Sequence, residues 1–241
     1  MKTKIIFATL ILIGIYLTAC DSVKNIIPDD NVITQEYTFS GYESIETESA
    51  FIIYIKFSDT EESIVVESNE NLFQYIEVTE VSNTLKIGFQ DNISIKGSAT
   101  LKAYITTKNI KGYSASGASR FIVEDEINTD NATVFLSGAS QFIGEMYVEN
   151  LNADLSGGSS MTLTGETLSF EVTASGASNI GSFDFSTEYL NVNLSGASNV
   201  SLTVTDEMDV SASGGSIVRY KGDAVIKSQN LTGGSQIIHM N

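Results

Sequence analysis

A four-residue motif occurs seven times in the second half of this chain. It is Ser-Gly-Ala-Ser at 116–119, 137–140, 175–178 and 195–198, Ser-Gly-Gly-Ser at 156–159 and 213–216, and Thr-Gly-Gly-Ser at 232–235. Successive copies begin 18 to 21 residues apart. A near-constant period of this length is typical of one coil of a stacked solenoid. The spacing therefore predicts an all-β fold, a parallel β-helix with coils of about 19 residues.

Apolar and polar residues alternate on both sides of each motif, which indicates a strand, a corner and a second strand in every coil. The predicted inward positions are large and apolar two residues after each motif: Phe121, Phe142, Met161, Ile180, Val200, Val218 and Ile237. The corner itself is assigned to the glycines, which adopt positive φ without strain: Gly117, Gly138, Gly157, Gly176, Gly196, Gly214 and Gly233. The predicted outward residues that could face a ligand are Asn152, Asp154, Glu171, Asn191, Asn193 and Asp209.

Residues 37–110 lack the motif but carry short runs of β-branched and aromatic residues, such as 50–57, 62–67 and 84–89. Turn-forming residues separate these runs, and no stretch shows a sustained helical period. We therefore expect an atypical N-terminal β portion of the same body over 37–110, followed by the repeat β-helix over 111–241. Solenoids need such atypical ends to cover the terminal edge.

The first twenty residues have the layout of a secretory signal. Lys2 and Lys4 precede an apolar run from Ile5 to Leu17, and small residues follow before Cys20. Leu17-Thr18-Ala19-Cys20 resembles the lipobox of bacterial lipoproteins, and Cys20 is the only cysteine in the chain. This resemblance implies a signal peptide over 1–19, a diacylglyceryl group on Cys20 and a membrane partner through that lipid. Residues 20–36, with the only proline, are expected to be a tether.

The charge balance excludes one broad class of function. The chain has 30 acidic and 13 basic residues, and cleavage after residue 19 removes two lysines, leaving 11 against 30 and a net charge of −19. A nucleic-acid binder needs a basic face to neutralise phosphates, so no nucleic-acid partner is expected. The expected location is the bacterial cell envelope, at the outer membrane or the periplasmic face, with the leaflet left open.

Several features together resemble the head GIN domain family of exported, usually lipid-anchored bacterial proteins. They are the lipobox, Tyr42-Glu43-Ser44-Ile45, Phe51-Ile52-Ile53-Tyr54-Ile55, Ile64-Val65-Val66-Glu67, Leu85-Lys86-Ile87 and the serial Ser-Gly-Ala-Ser coils. The resemblance covers about residues 37–235. It implies a right-handed parallel β-helix and an adhesin-like role, and it implies no reaction.

The residues offer little for catalysis or metal binding. His239 is the only histidine and lies three residues from the end, where we expect a frayed terminus. One histidine and one lipidated cysteine cannot form a tetrahedral metal site, so no metal or cofactor is expected. Acidic turns at 124–126 and 206–207 could bind Ca²⁺ weakly or simply be solvated, because they lack the spacing of calcium-binding loops.

Two functions follow as expectations. The first is a non-enzymatic, lipid-anchored envelope protein whose β-helical surface binds a glycan or an envelope protein. The alternative is a polysaccharide lyase or hydrolase, with its carboxylates among Asp154, Glu171 and Asp209 on the outer face.

Overall fold

The computed structural model describes residues 23–241, of which about 66% are in β-strands, with one 3-10 helix at Glu70–Leu72. The strands in the N-terminal portion are β1 (Lys24–Ile26), β2 (Val32–Tyr37), β3 (Ser44–Thr47), β4 (Ile52–Phe57), β5 (Ser63–Asn69), β6 (Ile76–Val81), β7 (Thr84–Phe89), β8 (Ile93–Ile95) and β9 (Leu101–Thr107). The strands in the repeat portion are β10 (Gly112–Ala115), β11 (Arg120–Leu136), β12 (Gln141–Leu155), β13 (Ser160–Ala174), β14 (Asn179–Leu194), β15 (Asn199–Ala212), β16 (Ile217–Lys221), β17 (Val225–Leu231) and β18 (Gln236–His239).

The repeat portion is the predicted right-handed solenoid, with about seven turns and coils of about 19 residues. Each long strand from β11 to β15 pairs in parallel with the next one along the chain. The register aligns equivalent residues of successive coils, as in the series Val134, Ala153, Val172, Val192 and Val210. The fold predicted from the motif spacing is confirmed.

The inward columns form one continuous core. Six of the seven residues predicted two places after the motif are buried, and only Ile237 in the last coil is partly buried. Aromatic rings fill the first coils, where the ring of Tyr113 lies edge-on to Phe142 with centroids 5.0 Å apart. A single coil could not bury these side chains, so stacking supplies the core that each coil lacks.

Glycine is required at the corners for two reasons, which Gly157 illustrates. Its φ is +74°, in the left-handed region that residues with a Cβ rarely adopt. A Cβ on Gly157 would also lie only 2.5 Å from the carbonyl oxygen of Gly138 in the preceding coil. That carbonyl accepts a 2.7 Å hydrogen bond from the amide of Gly158, so the corners are hydrogen-bonded directly to one another.

The closing serine of each motif points into the body, which the sequence did not indicate. Ser140, Ser159, Ser178, Ser198 and Ser216 are all buried. Each hydroxyl donates a hydrogen bond of 2.8 to 3.0 Å to the carbonyl of the residue that opens its own motif. In these five motifs the serine therefore closes the corner within its coil, and backbone hydrogen bonds between corners join successive coils.

The N-terminal portion continues the same stack of coils, but the order of its strands in the sheet differs from their order in the chain. β3 and β4 form the coil next to the first repeat, because β3 pairs with β10 and β4 with β11. β7 and β9 form the next coil outward, paired with β3 and β4. The N-terminal β portion predicted from the sequence thus shares its main sheet with the repeats, and only β8 pairs outside it, with β1 in a separate two-stranded sheet.

The outer end of this portion is closed by strands that run antiparallel to the coils. β6 lies antiparallel beside β7, and β5 lies antiparallel beside β9 with β2 outside it. At the opposite end the last coil, β17 and β18, is paired on one side only within the described residues. β17 carries a bulge at Lys227 and places the polar Gln229 in the inward column, two devices that discourage edge-to-edge pairing.

The expected tether over 20–36 differs from the structure where it is described. Lys24–Ile26 pairs in parallel with β8, and Val32–Tyr37 pairs antiparallel with β5. The side chain of Asn71 also accepts a hydrogen bond from the amide of Asp29 and donates one to the carbonyl of Ile27. Pairing of β1 with β8 in a small two-stranded sheet and of β2 with β5 in the main sheet holds this segment against the body, despite its polar composition and its proline.

Candidate binding surface

The six predicted ligand-facing residues are all exposed and lie on one surface of the solenoid. We call this surface the polar face. It is the outer side of the sheet formed by β6, β7, β3 and β10 and by residues 131–136, 150–155, 169–174, 189–194, 207–212 and 225–231. Their placement agrees with the sequence prediction, while their role toward a ligand stays a prediction.

Two columns of side chains run along the polar face at the spacing of the strands, about 4.8 Å. Column 1 contains Thr133, Asn152, Glu171, Asn191, Asp209 and Ser228. Column 2 contains Phe135, Asp154, Thr173, Asn193, Ser211 and Asn230. Amides, hydroxyls and carboxylates therefore alternate along both columns and offer hydrogen-bond donors and acceptors in a fixed array.

Of the carboxylates proposed for an enzymatic site, Asp154 and Glu171 are diagonal neighbours on adjacent strands, whereas Asp209 lies two strands beyond Glu171. Glu171 lies between Asn152 and Asn191 in column 1, whereas Asp154 is in column 2. Asp209 lies between Asn191 and Ser228. All three carboxylates are exposed on the outside of a sheet rather than enclosed in a cleft. The arrangement offers hydrogen bonds to a ligand more readily than it offers a water-excluding site.

The polar face contains two exposed aromatic residues that the sequence prediction missed, Phe135 and Tyr189, of which Tyr189 lies outside both columns. Phe135 stands in column 2 and is 52% exposed. Its signal in the sequence was the run Val134-Phe135-Leu136, where three apolar residues break the alternation that places every second residue outside. The outer residue of such a run must face solvent or a ligand.

A shallow cavity of about 470 Å³ opens beside Phe135, and we call it the trough. Its floor follows the continuation of column 1 into the N-terminal strands, where the aligned residues are Thr133, Gly112, Ser44 and Thr84. These side chains are shorter than the Asn152 and Glu171 that follow in the same column, so the surface is lower here. Phe135 forms one wall of the trough.

The two charged residues that line the trough, Lys111 and Glu46, each belong to an ion pair. Lys111 Nζ lies 3.2 Å from Glu43 Oε1, and Lys86 Nζ lies 2.9 Å from Glu46 Oε2. Each lysine thus has its own carboxylate, and the four charges cancel. The trough is locally neutral in a chain of net charge −17.

A larger groove of about 490 Å³ follows the second corner of the coils. Its lining includes the carboxylates of Asp130, Glu149, Glu166 and Glu188. Beside it the Tyr147 hydroxyl donates a 2.8 Å hydrogen bond to Glu145, and this bond raises the pKa of Tyr147. Among residues 23–241, no group of three histidine, cysteine, aspartate or glutamate side chains is arranged to hold a metal ion.

The acidic turns are engaged in contacts within the protein. Glu124 lies 3.1 Å from Lys56, and Asp125 accepts a 2.8 Å hydrogen bond from the amide of Phe57. In the other turn, Glu207 lies 2.7 Å from Lys227, and the hydrogen bond to Glu207 raises the pKa of that lysine. These acidic residues therefore hold neighbouring strands to one another.

On the opposite sheet, Tyr54 and Tyr104 stack with their ring centroids 5.1 Å apart. Beside them Lys102 Nζ donates a 2.9 Å hydrogen bond to Glu67, and Tyr104 donates a second one of 3.0 Å. The hydrogen bond from Lys102 holds the pKa of Glu67 below its ordinary value. This cluster joins β4, β9 and β5, so it ties a repeat-like coil to the antiparallel end strands.

His239 is held in place rather than frayed, which corrects the expectation from its terminal position. It belongs to β18, and its ring stacks on Tyr220 with centroids 4.6 Å apart. Its Nε2 lies 2.9 Å from the carbonyl oxygen of Gly222. Both contacts fasten the last coil to the preceding one, so the residue has a structural role.

The signal peptide over 1–19 and the lipidation site Cys20 lie outside the described residues. Within 23–241, no helix has the length and apolar character needed to cross a membrane.

The fold and surface define a right-handed β-solenoid with a polar outer face. The family model named "Putative auto-transporter adhesin, head GIN domain" matches residues 41–224, and the chain belongs to that family. The resemblance recognised in the sequence is confirmed. No functionally curated protein matches this chain.

Solved structures share the fold at low sequence identity. A putative adhesin from Bacteroides fragilis NCTC 9343 superposes with a TM-score of 0.84 and 22% identity, covering 89% of this chain and all of its own. A putative lipid binding protein from Parabacteroides distasonis ATCC 8503 superposes with a TM-score of 0.74 and 19% identity, covering 90% of this chain and 100% of its own. A putative adhesin from Parabacteroides merdae ATCC 43184 superposes with a TM-score of 0.73 and 17% identity, covering 90% of this chain and 99% of its own.

Proposed function

We propose that this chain is a non-enzymatic, lipid-anchored protein of the bacterial cell envelope whose polar face binds a glycan. The observation that carries the proposal is the pair of columns on the polar face, where amides, hydroxyls and carboxylates repeat from coil to coil. Because the corners and core fix each strand, the array is organised before binding and loses little conformational entropy when a ligand docks. The adhesin family of the chain supports a surface-binding role.

A glycan fits this array better than other envelope partners do. Sugar hydroxyls are both donors and acceptors, and Asn191 and Asn193 each present a carbonyl oxygen and an amide nitrogen on neighbouring columns. Protein partners, by contrast, usually require an apolar centre in the contact surface. The columns provide little of that apart from Phe135.

The proposed lipid anchor would hold the end of the body that carries β1 at the membrane. Lys24, the first residue of β1, is four residues after Cys20, and a fully extended chain spans at most about 14 Å over four residues. Val23 is 54% exposed and Ile27 is 75% exposed, so apolar side chains flank this strand at the same end. Acyl chains gain about 0.8 kcal/mol per buried methylene, which suffices for anchoring when two or three chains are present.

The lipid part of the proposal is tested in cells by mass spectrometry of the N-terminal peptide and by membrane fractionation. Diacylglyceryl on Cys20 and loss of membrane association in Cys20→Ala are expected. An unmodified Cys20 in the mature protein would refute the anchor while leaving the binding surface untouched.

The glycan part is tested on the full-length protein in detergent micelles against an array of oligosaccharides. The double variant Asn191→Ala with Asn193→Ala removes adjacent amides from the polar face, and its binding is expected to fall about tenfold, the equivalent of two weak hydrogen bonds. The matched control is Asn179→Ala with Asn199→Ala, a register pair outside that face, which should bind like wild type.

Mass spectrometry of the bound sugars distinguishes binding from catalysis. Intact oligosaccharides after prolonged incubation are expected. Cleavage that is lost in Asp154→Asn or Glu171→Gln would overturn the non-enzymatic assignment. An array with no bound glycan, combined with capture of an envelope protein through the polar face, would overturn the choice of ligand.

A further inference from the structure

We infer that the trough is a subsite for one neutral sugar residue, with Phe135 as the wall against which the sugar ring packs. This inference rests on the proposed function, because it names the place and the chemical class of the glycan that the polar face binds. It stands on the shape of the trough, the exposure of Phe135 and the balance of charge around it.

Phe135 is an aromatic residue that is about half exposed to solvent. Burying a phenylalanine side chain stabilises a folded protein, and this ring forgoes much of that stabilisation because it is 52% exposed in a column of polar residues. An aromatic ring presents a flat apolar surface of high contact area. The C–H groups on one side of a pyranose ring form a matching apolar surface, so the two can stack while the sugar hydroxyls point elsewhere.

The floor of the trough supplies partners for those hydroxyls. Ser44, Ser114 and Thr133 line the cavity, and each hydroxyl can both donate and accept. Gly112 lies between Ser44 and Thr133 in register, and a Cβ at that position would collide with the side chain of Ser44. The glycine keeps the floor low in the middle, and the volume of about 470 Å³ falls within the range of small-ligand sites, roughly 300–1,000 Å³.

The charges favour a neutral sugar over an acidic one. Lys111 and Lys86 are each paired with a glutamate, so neither is left to balance a carboxylate on the ligand. Asp154 follows Phe135 in column 2 and adds negative charge on that side. The trough therefore offers no net positive charge to a uronic acid or a sulfated sugar, which the acidic chain repels. An uncharged hexose or pentose is not repelled.

The subsite is tested by calorimetric titration of the full-length protein in detergent micelles with gluco-, manno- and xylo-oligosaccharides, and with oligogalacturonate as the acidic probe. Binding of a neutral series and at least tenfold weaker binding of oligogalacturonate are expected. Phe135→Ala should weaken binding at least tenfold, while Phe135→Tyr, which keeps the ring, should bind within about threefold of wild type.

Two further variants separate the trough from the rest of the polar face. Ser114→Gln fills the cavity from an outward position and should also abolish binding. Tyr147→Ala removes a partly exposed aromatic ring at the second corner, outside the trough, and should have no effect. Circular dichroism spectra that match wild type show that each variant is folded.

The outcomes distinguish this inference from the proposed function. Glycan binding that survives Phe135→Ala but is lost in the double variant at Asn191 and Asn193 would refute the trough and leave the function standing. Preference for oligogalacturonate would also refute the neutral subsite. If wild type binds no oligosaccharide, the proposed function fails and the subsite fails with it.

Discussion

Two adjacent glycines in one corner should respond in opposite ways to the same substitution. Gly157→Ala places a Cβ at φ +74°, which costs about 1–2 kcal/mol for a residue other than glycine. The same Cβ would lie 2.5 Å from the carbonyl oxygen of Gly138, the acceptor of the amide of Gly158. Displacing that oxygen weakens a hydrogen bond worth about 0.5–1.5 kcal/mol.

We therefore expect Gly157→Ala to lower the free energy of unfolding by about 1.5–3.5 kcal/mol. For a body of this size, each kcal/mol shifts Tm by about 2–4 °C, so a fall of roughly 3–14 °C is expected. Gly158→Ala is the matched control. A Cβ there would lie 3.8 Å from the same oxygen, in ordinary contact, and other coils already have alanine at this position.

Gly158→Ala should be neutral or should stabilise by about 0.4–1 kcal/mol, because alanine restricts the unfolded chain. The assay is equilibrium unfolding in urea followed by circular dichroism, with thermal melts alongside. If the two variants unfold within about 0.5 kcal/mol of each other, the account of the stacked corner is wrong.

Other predictions concern buried hydroxyls and one ion pair. Ser178→Ala removes the hydrogen bond to the Ser175 carbonyl and should cost about 1 kcal/mol in urea unfolding. Ser119→Ala should be nearly neutral, because its buried hydroxyl oxygen has no hydrogen-bond partner among residues 23–241; equal losses for the two serines would contradict this role. The lowered pKa of Glu67 means that its pairing with Lys102 stabilises the fold above the ordinary glutamate pKa, and that this stability is lost as pH falls through the lowered value. Glu67→Gln should therefore lower the free energy of unfolding at pH 7 by up to about 1 kcal/mol and make that free energy fall less as the pH is lowered. A pH dependence of stability equal to that of wild type would count against the pairing.

The regular part of the fold could be predicted from the sequence because each coil repeats the same local chemistry. Glycine at the corner and alternating residues on both sides are visible without any alignment, and they fixed the inward columns correctly. The outward columns followed from the same alternation. This is why Asn152, Asp154 and Glu171 were placed on one face from the sequence alone.

The coil formed by β3 and β4 was not predicted from the sequence, because the residues at its corner differ from the repeated four-residue motif. Ser49 and Ala50 adopt φ of 63° and 68° without any glycine, so the motif is absent although the geometry is similar. The amide of Ser116 donates a 2.9 Å hydrogen bond to the carbonyl of Thr47, which places this corner directly next to the first repeat. Stacking against that repeat supports two residues that local preference disfavours.

Long-range pairing accounts for the remaining differences. The order of coils in the N-terminal portion depends on which strands meet across tens of residues, and no local pattern encodes that choice. The same holds for Lys24–Ile26, whose partner is β8. The trough was missed for a related reason, since its floor combines residues from β7, β3, β10 and β11 that are neighbours only after the chain has folded.

Photo-crosslinking would locate a bound glycan on the surface of the protein and so tests whether the polar face binds it. A neutral oligosaccharide that binds the protein would carry a diazirine group, and the labelled peptides would be mapped by mass spectrometry. Labels are expected in residues 131–136, 150–155 and 189–194 of the polar face, and the unmodified sugar should compete them away. Labels confined to the second-corner groove around Glu149, or to the opposite sheet around Tyr54, would contradict binding at the polar face.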